Sequence, residues 1–267
     1  MRVRFRGVRG SVPFATAGSI GHGCNTACLE LTDESSGRRL ILDAGSGLVG
    51  VGAALEPSVI ELPIVLTHYH WDHVQGLPFF APFHRQGTKA TVWTPTLGRT
   101  TVDIETVFES PFFPVPSGQL PSPPVIHTIA AGETIINGFQ LSAQPLNHPG
   151  GSLAYRIRGS GGDLVYATDH EFGDRQVDEP LMEFSAGAAA LVLDAHFTPE
   201  ELPAHKGWGH SDWAQCARFA AGCRAGRLWL FHHKPGRTDE ALDAIEAEAR
   251  RVFPRTDAAS EDDEFAV

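Results

Sequence analysis

The chain has 267 residues, 42% of them hydrophobic, and a formal net charge of −11 at pH 7. The hydrophobic fraction suffices for a large core, and no apolar run reaches membrane-spanning length. The acidic excess argues against a protein that grips a long polynucleotide, because phosphate neutralisation by a basic surface supplies most of such affinity. No apolar segment follows the basic N-terminus, so we expect no signal peptide, a cytoplasmic location and reduced thiols at the four cysteines.

The first strong signal along the chain is a cluster of potential metal ligands after an apolar run. Residues 62–66 predict a buried strand, and Thr67-His68-Tyr69-His70-Trp71-Asp72-His73 follows directly. Imidazole and carboxylate groups this close together form a nitrogen and oxygen ligand set suited to Zn²⁺ or a similar divalent ion. The motif supplies too few groups for a closed site, so further ligands must come from elsewhere in the chain.

A proline-rich stretch over residues 109–124 interrupts the alternation of strand-like and helical patterns. Proline at this density cannot join a central strand or a helix interior, which predicts a stiff surface connection. Phe112 and Phe113 allow an alternative, in which the stretch forms an apolar wall or lid over the metals, or a contact with a second subunit. A homodimer is therefore left open.

Three more polar residues follow a strand-like run or lie in a turn. They are His148 in the loop between the runs 139–143 and 153–157, Asp169 at the end of the run 163–168, and His232 at the end of the run 227–231. A strand end fixes the backbone and leaves the side chain accessible, so scaffolds present reactive groups there. Each residue alone is more typical of a structural polar group. Together with the motif, they predict the missing metal ligands.

These residues resemble the ligand signature of the metallo-β-lactamase fold, and within it the ribonuclease Z-like and cyclic-nucleotide phosphodiesterase-like metallohydrolases. The resemblance also includes the segments 7–13, 23–28, 42–47, 166–170, 208–211 and 231–235. It implies an α/β fold, a four-layer αβ/βα sandwich of two mixed sheets flanked by helices. Because the metal candidates span both halves of the chain, we expect one domain over residues 1–267.

The resemblance further implies two adjacent metal sites, with zinc as the expected metal and manganese or iron as alternatives. One ion would be held by His68, His70 and His148. The other would be held by Asp72, His73 and His232. Asp169 would bridge the two ions, and a hydroxide between them would be the nucleophile, oriented by Asp72. The match of residues 230–232 to the family strand favours His232 over the neighbouring His233, although both remain candidates.

His210 is a candidate for proton transfer. One interpretation is that Ser211 or Asp212 caps the following helix and that His210 is an ordinary loop residue. The resemblance implies instead that His210 faces the substrate and protonates the leaving oxygen or binds the phosphate. Asp194, at the end of a strand-like run, would orient it. The chain departs from the family pattern here, because Asp194 replaces the usual Glu and Asp212 replaces the last residue of the usual His-Ser-Thr.

We therefore expect a dinuclear metal-dependent phosphodiesterase for a cyclic nucleotide or another small phosphodiester. The alternatives left open are a hydrolase of a lactone, thioester or β-lactam carbonyl, a ribonuclease Z-like RNA endonuclease, and a non-catalytic metal-binding protein. A basic patch near Arg2, Arg4, Arg6 and Arg9 would weaken the argument against RNA. A helix is predicted over residues 239–252, with Leu242, Ile245 and Ala249 on one face, and the acidic end after it is expected to fray.

Overall fold

The structure is a computed structural model that describes residues 1–56, 61–98 and 102–267. Two mixed β-sheets lie face to face, with helices on their outer sides, which confirms the predicted sandwich. In the order in which its strands pair, the first sheet consists of β14 (Glu264–Ala266), β1 (Arg2–Gly7), β2 (Cys28–Thr32), β3 (Arg39–Leu42), β4 (Glu61–Val65), β5 (Lys89–Pro95) and β6 (Val125–Ile129). The second consists of β13 (Thr256–Ala258), β12 (Leu228–Phe231), β11 (Ala190–Asp194), β10 (Gly162–Ala167), β9 (Ser152–Gly159), β8 (Phe139–Leu146) and β7 (Gly132–Ile136).

Each sheet combines a parallel half with an antiparallel half. Strands β3 to β6 are parallel, as are β10 to β13, and the other neighbouring strands are antiparallel. Parallel neighbours end at the same edge of a sheet, so the loops after β3, β4, β10, β11 and β12 can meet there. That edge carries the predicted metal ligands.

The helices cover the outer faces of the sheets. They are α1 (Gly47–Ala54), α2 (Trp71–Val74), α3 (Arg175–Ser185), α4 (Trp213–Gly222) and α5 (Asp239–Val252). Helix α5 has the predicted bounds and buries Leu242, Ile245 and Ala249. Of the helices in the described ranges, none has the length and apolar character that a membrane crossing requires.

The inner faces of the two sheets share one core. Phe5 and Val65 of the first sheet pack in the same buried cluster as Tyr155, Tyr166 and Phe231 of the second. Close packing of large side chains makes the two sheets hold each other in place. The single domain over residues 1–267 stays a prediction, and this shared core is the observation that supports it.

The acidic C-terminal end is ordered, so the expectation that it frays is wrong. Strand β13 joins the second sheet and β14 pairs with β1 of the first. Asp262 accepts hydrogen bonds from Arg4 and Arg6, with distances of 2.8 and 3.1 Å to Oδ1. The run of acidic residues predicted a solvated tail. In the structure, acids of this tail lie opposite the arginines of strand β1.

The N-terminal arginines, which the sequence offered as a possible basic patch, are paired with acids in the same way or are buried. Arg6 also pairs with Glu30 at 2.7 Å, and Arg2 lies 3.7 Å from Glu264. Arg9 is only 1% exposed and donates hydrogen bonds to three backbone carbonyls. These cations are paired with carboxylates or buried, so they do not form a patch of unpaired positive charge.

The proline-rich stretch 109–124 lies on the surface of the first sheet's outer layer. The ring of Phe113 packs edge-on against Phe79, with centroids 5.5 Å apart, and Phe112 is 75% exposed. At its other end, Ser122 donates a hydrogen bond to the backbone oxygen of Arg85 at 2.6 Å. Both ends are thus held against the fold, as a stiff connection requires. A lid or an interface role stays a prediction.

Candidate metal centre

The loop after β4 carries the cluster found in the sequence, and Asp43 braces it from below. The backbone N–H of Thr67 donates to Asp43 Oδ1 at 2.8 Å, and Tyr166 donates its hydroxyl to Asp43 Oδ2 at 2.7 Å. Nδ1 of His73 lies 2.9 Å from the same carboxylate. Asp43 is fully buried, and the hydrogen bonds from Thr67 and Tyr166 satisfy its oxygens. It fixes the ring of His73 with Nε2 directed away from it.

His68, His70 and His148 form the first predicted triplet. Nε2 of His148 lies 2.9 Å from Nδ1 of His70, and the three residues place one ring nitrogen each within 4.8 Å of the others. Burial lowers the pKa of each imidazole, which favours the neutral form whose lone pair can bind a metal. His68 Nε2 is buried and has no hydrogen-bond partner within the described ranges. A cation would satisfy that nitrogen.

The tautomer of His148 is set by the loop before His210. Its Nδ1 donates to the backbone oxygen of Gly209 at 2.8 Å, which leaves Nε2 free as an acceptor. A Cβ at Gly209 would lie 2.1 Å from that Nδ1, so no side chain fits there. Glycine at this position is required for the close approach of the two loops.

Asp72, His73 and His232 form the second predicted triplet. Oδ2 of Asp72 lies 3.1 Å from Nε2 of His232 and 3.5 Å from Nε2 of His73. The backbone N–H of Ser11 donates to Asp72 Oδ2 at 2.6 Å and holds the carboxylate in place. His232 has a φ of 58°, a left-handed conformation that turns its ring into the site where β12 ends.

Asp169 lies between the two triplets, as the predicted bridging role requires. Its Oδ1 is 3.7 Å from Nε2 of His148 and 3.9 Å from Nε2 of His68, while its Oδ2 is 3.2 Å from Nε2 of His73. Burial opposes the charge of Asp169, but the imidazoles of His232, His73 and His68 hold its pKa well below the usual range. Asp169 follows strand β10 and has a φ of 61°. This left-handed conformation directs its carboxylate towards both triplets.

The seven side chains thus converge on one centre, in which His70 is exposed and the other six are buried, and their chemistry fits divalent cations. The seven groups offer imidazole nitrogen and carboxylate oxygen, and one such atom from each member of a triplet lies within 4.8 Å of the others, which is a spacing that could hold a metal ion. Their assignment as ligands stays a prediction.

His210 and Asp194 form an ion pair beside this centre. Nδ1 of His210 donates to Asp194 Oδ2 at 2.7 Å and lies 3.7 Å from Asp169 Oδ1. Burial lowers the pKa of His210, but the charges of Asp194, Asp169 and Asp72 outweigh it and raise the pKa to about 9. The shorter Asp side chain therefore reaches the imidazole. Asp212 caps helix α4, so capping and a site position for His210 coexist in this loop.

Four other histidines lie next to motif residues in the sequence, and they are His170, His196, His205 and His233. The rings of His196 and His210 stack with centroids 4.6 Å apart, so His196 borders the site. The remaining three make other contacts: His233 donates to Ala259, His205 donates to Glu201, and His170 pairs with Asp178. The structure thus places His232, rather than His233, in the centre.

Glu171 is a residue that the sequence did not single out. Its carboxylate accepts hydrogen bonds from the backbone N–H groups of Gly207 and Gly209, at distances of 2.8 to 2.9 Å. It thereby holds the loop that contacts His148 and carries His210. In the sequence, Glu171 was distinguished by its position two residues after Asp169. That position does not indicate which groups its carboxylate contacts.

Comparison with known proteins identifies the class. The family model described as the beta-lactamase superfamily domain matches residues 38–233, so the chain belongs to this superfamily. It is a hydrolase of the metallo-β-lactamase fold.

A ribonuclease Z from Bradyrhizobium diazoefficiens is 26% identical over 286 aligned positions, which cover 88% of this chain and 92% of the relative. Among solved structures, the metallo-beta-lactamase fold protein YhfI from Bacillus subtilis has a TM-score of 0.72 and 19% identity, covering 99% of this chain and 98% of that one. A diphosphatase from the PhnP family has a TM-score of 0.70 and 20% identity, covering 99% and 97%. At these identities the structures show the shared fold.

Proposed function

We propose that this protein is a dinuclear metal-dependent phosphodiesterase that hydrolyses a cyclic nucleotide or another small phosphodiester. One observation carries the proposal: Asp169 lies between two ligand triplets and 3.7 Å from Nδ1 of His210. The centre thus combines places for two cations with a separate proton donor. Zinc is the expected metal, and manganese or iron also suit this ligand set.

Two bound divalent ions would lower the pKa of a water between them and take up negative charge on the phosphoryl oxygens. The protein's own groups do the rest. Asp169 offsets the repulsion between the two cation positions. Asp72, held by the N–H of Ser11, is placed to orient the attacking water and accept its proton. His210 then donates a proton to the leaving oxygen, and Asp194 stabilises the imidazolium before that transfer.

The proton donor also favours a phosphodiester over a carbonyl substrate. An alkoxide is a poor leaving group and needs a proton as the ester bond breaks, so an acid with a pKa near 9 stays charged and available at neutral pH. The alternative activity is hydrolysis of the carbonyl group of a lactone, thioester or β-lactam, which carbonyl-hydrolysing proteins of this fold would suggest.

A ribonuclease Z activity is the second candidate, and the named relative favours it. That alignment is longer than this chain, so the relative has residues that this chain lacks. The net charge of −11 and the pairing of the N-terminal arginines argue for a small substrate, because RNA binding relies on free cations. The proposal also includes a cytoplasmic location, in line with the free thiols of Cys24, Cys28, Cys216 and Cys223.

A hydrolysis screen tests the proposal. Zinc-loaded protein is incubated in parallel with cyclic nucleotides, bis(4-nitrophenyl) phosphate, a lactone and a transfer-RNA precursor, and chelator-treated protein is the control. We expect metal-dependent turnover of the small diesters. Cleavage of the RNA precursor alone would establish the second candidate, and turnover confined to the lactone would overturn phosphodiester hydrolysis.

A further inference from the structure

A cavity of about 140 Å³ lies beside the first ligand triplet. The imidazoles of His68 and His70 form one side, and Tyr69, Leu97, Val102 and Pro149 are among the other lining residues. The cavity therefore begins where the predicted metal position opens to the outside. The walls away from the histidines consist of aliphatic and aromatic groups.

Two glycines keep this space open. Gly150 and Gly151 lie in the loop after His148 with φ values of 84° and 85°, a conformation that other residues seldom adopt. A Cβ at Gly151 would lie 3.3 Å from Cβ of Leu97, and one at Gly150 would lie 4.0 Å from Nε2 of His70. Side chains at these positions would narrow the space between the loop and the opposite wall.

The polar group of the one tyrosine in the lining is already used. The hydroxyl of Tyr69 donates to the backbone oxygen of Pro95 at 2.7 Å, so Tyr69 offers its ring to the cavity and not a hydrogen-bond donor. The side chains of Leu97, Val102 and Pro149 offer apolar contact in the same lining. Apolar side chains favour an uncharged group, which gains free energy when it leaves water to contact them.

We propose that this cavity is a substrate subsite that takes one uncharged ring, such as a phenyl group or a pyrimidine base, attached to the phosphoryl group at the metal centre. The inference rests on the proposed function and names the substrate class for it. The volume equals that of roughly five water molecules, since each occupies about 30 Å³ in the liquid, so a single ring fits and an extended chain does not. Burying the ring against Leu97 and Val102 supplies affinity that a methyl ester lacks.

The subsite is tested by binding and not by turnover. Phenylphosphonate and methylphosphonate carry the same anionic group, and calorimetry measures the affinity of each for zinc-loaded protein. We expect phenylphosphonate to bind roughly tenfold more tightly. Val102→Trp should fill the cavity and remove this preference, while methylphosphonate binding changes less than about twofold. Leu97→Ala, which removes one wall, should reduce the preference without adding bulk.

Val125→Trp is the matched control, because Val125 is also exposed but pairs with Thr91 at the opposite end of its sheet from the site. It should retain the full preference. Equal binding of the two phosphonates by the unmodified protein, or a preference that persists in Val102→Trp, would overturn the subsite. A third titration with uridine 3′-phosphate decides which kind of ring the cavity takes. If uridine 3′-phosphate binds more tightly than methylphosphonate and Val102→Trp abolishes this gain in affinity, the ring is a nucleobase. If its affinity is no higher, the ring is a simple aryl group.

Failure of the subsite and failure of the proposed function are distinguishable. If the unmodified protein hydrolyses no diester but shows a ring preference that depends on Val102, the proposed reaction is wrong and the subsite stands. If it hydrolyses methyl and phenyl 4-nitrophenyl phosphate equally well and binds both phosphonates equally, the reaction stands and the subsite is wrong.

Discussion

Asp194 accepts a hydrogen bond of 2.7 Å from Nδ1 of His210, and the buried Asp194 thereby holds the part-buried imidazole beside the carboxylate of Asp169. The other oxygen of Asp194 accepts from the backbone N–H of His196 at 3.0 Å. Asp194 therefore cannot rotate away without losing two partners. It holds His210 in one orientation and one tautomer, which is what a residue that donates a proton needs.

Asp194→Asn should shift the pH dependence of hydrolysis. Asp194 is the strongest of the groups that raise the pKa of His210 to about 9, and an amide removes its charge. The donor must be protonated, so activity falls as the pH rises through the pKa of His210. In the variant this pKa is lower, and the alkaline limb of kcat/KM should move to lower pH. Coincident alkaline limbs for the two proteins, at equal metal content, would contradict the pairing.

His210→Ala should slow hydrolysis in a manner that depends on the leaving group. General acid catalysis contributes roughly 10²- to 10⁴-fold when the departing alkoxide is a strong base. We expect a loss in that range for a cyclic nucleotide and a loss below about tenfold for a 4-nitrophenyl diester, whose leaving group needs no proton. Metal content, measured by elemental analysis, should not change. Equal losses on both substrates would count against proton donation.

Asp169→Ala should remove the carboxylate that both triplets share. Without it, two cations a few ångströms apart repel each other with no anion between them, so we expect at most one ion per chain and a loss of activity of roughly 10²-fold or more. Asp178→Ala is the matched control, because Asp178 is a part-buried acid that pairs with His170 outside the centre. Two ions per chain in Asp169→Ala would refute the bridging role.

Glu201→Gln should lower stability in a pH-dependent way. Glu201 contacts Arg237 at 2.6 Å and Lys234 at 3.1 Å. Burial raises its pKa, but these cations and the N–H of Thr198 lower it from 4.5 to about 2. A carboxyl with a depressed pKa adds stability above its unfolded pKa, and that stability is lost as the pH falls through the folded value. Urea unfolding should show a deficit of about 1–2 kcal/mol at neutral pH that shrinks with acidification from 4.5 towards 2. A constant deficit over that interval would contradict this account.

The sequence indicated which side chains the structure brings together because each lies in a local pattern, while their role as metal ligands stays a prediction. The ligands of the loop after β4 are neighbours in the chain, and His148, Asp169 and His232 each follow an apolar run. Each ligand position could therefore be recognised without knowing the topology. The pairing of strand β14 with β1 could not, because the two strands lie more than 200 residues apart in the chain, and a run of acids shows no partner by itself.

Glu171 illustrates the same limit inside the site. Its partners are backbone N–H groups 36 and 38 positions further along the chain, and a backbone donor leaves no mark in the sequence. The cavity beside His70 is a similar case, because Leu97 and Gly151 meet only when the strands have packed. Sequence patterns show which groups can do chemistry, whereas the groups that position them depend on tertiary structure.

Glu171→Gln should therefore impair catalysis through the loop that it holds. Both carboxylate oxygens accept from Gly207 and one also accepts from Gly209, whereas an amide has one acceptor and a competing donor. The loosened loop would let His210 leave its position and would weaken the contact of Gly209 with His148. We expect kcat to fall roughly 10- to 100-fold with little change in KM. Glu200→Gln, which changes an exposed acid in the same way, is the control and should retain activity. A purely structural role would lower the melting temperature and leave kcat per folded molecule unchanged, and that result would rule out positioning by Glu171.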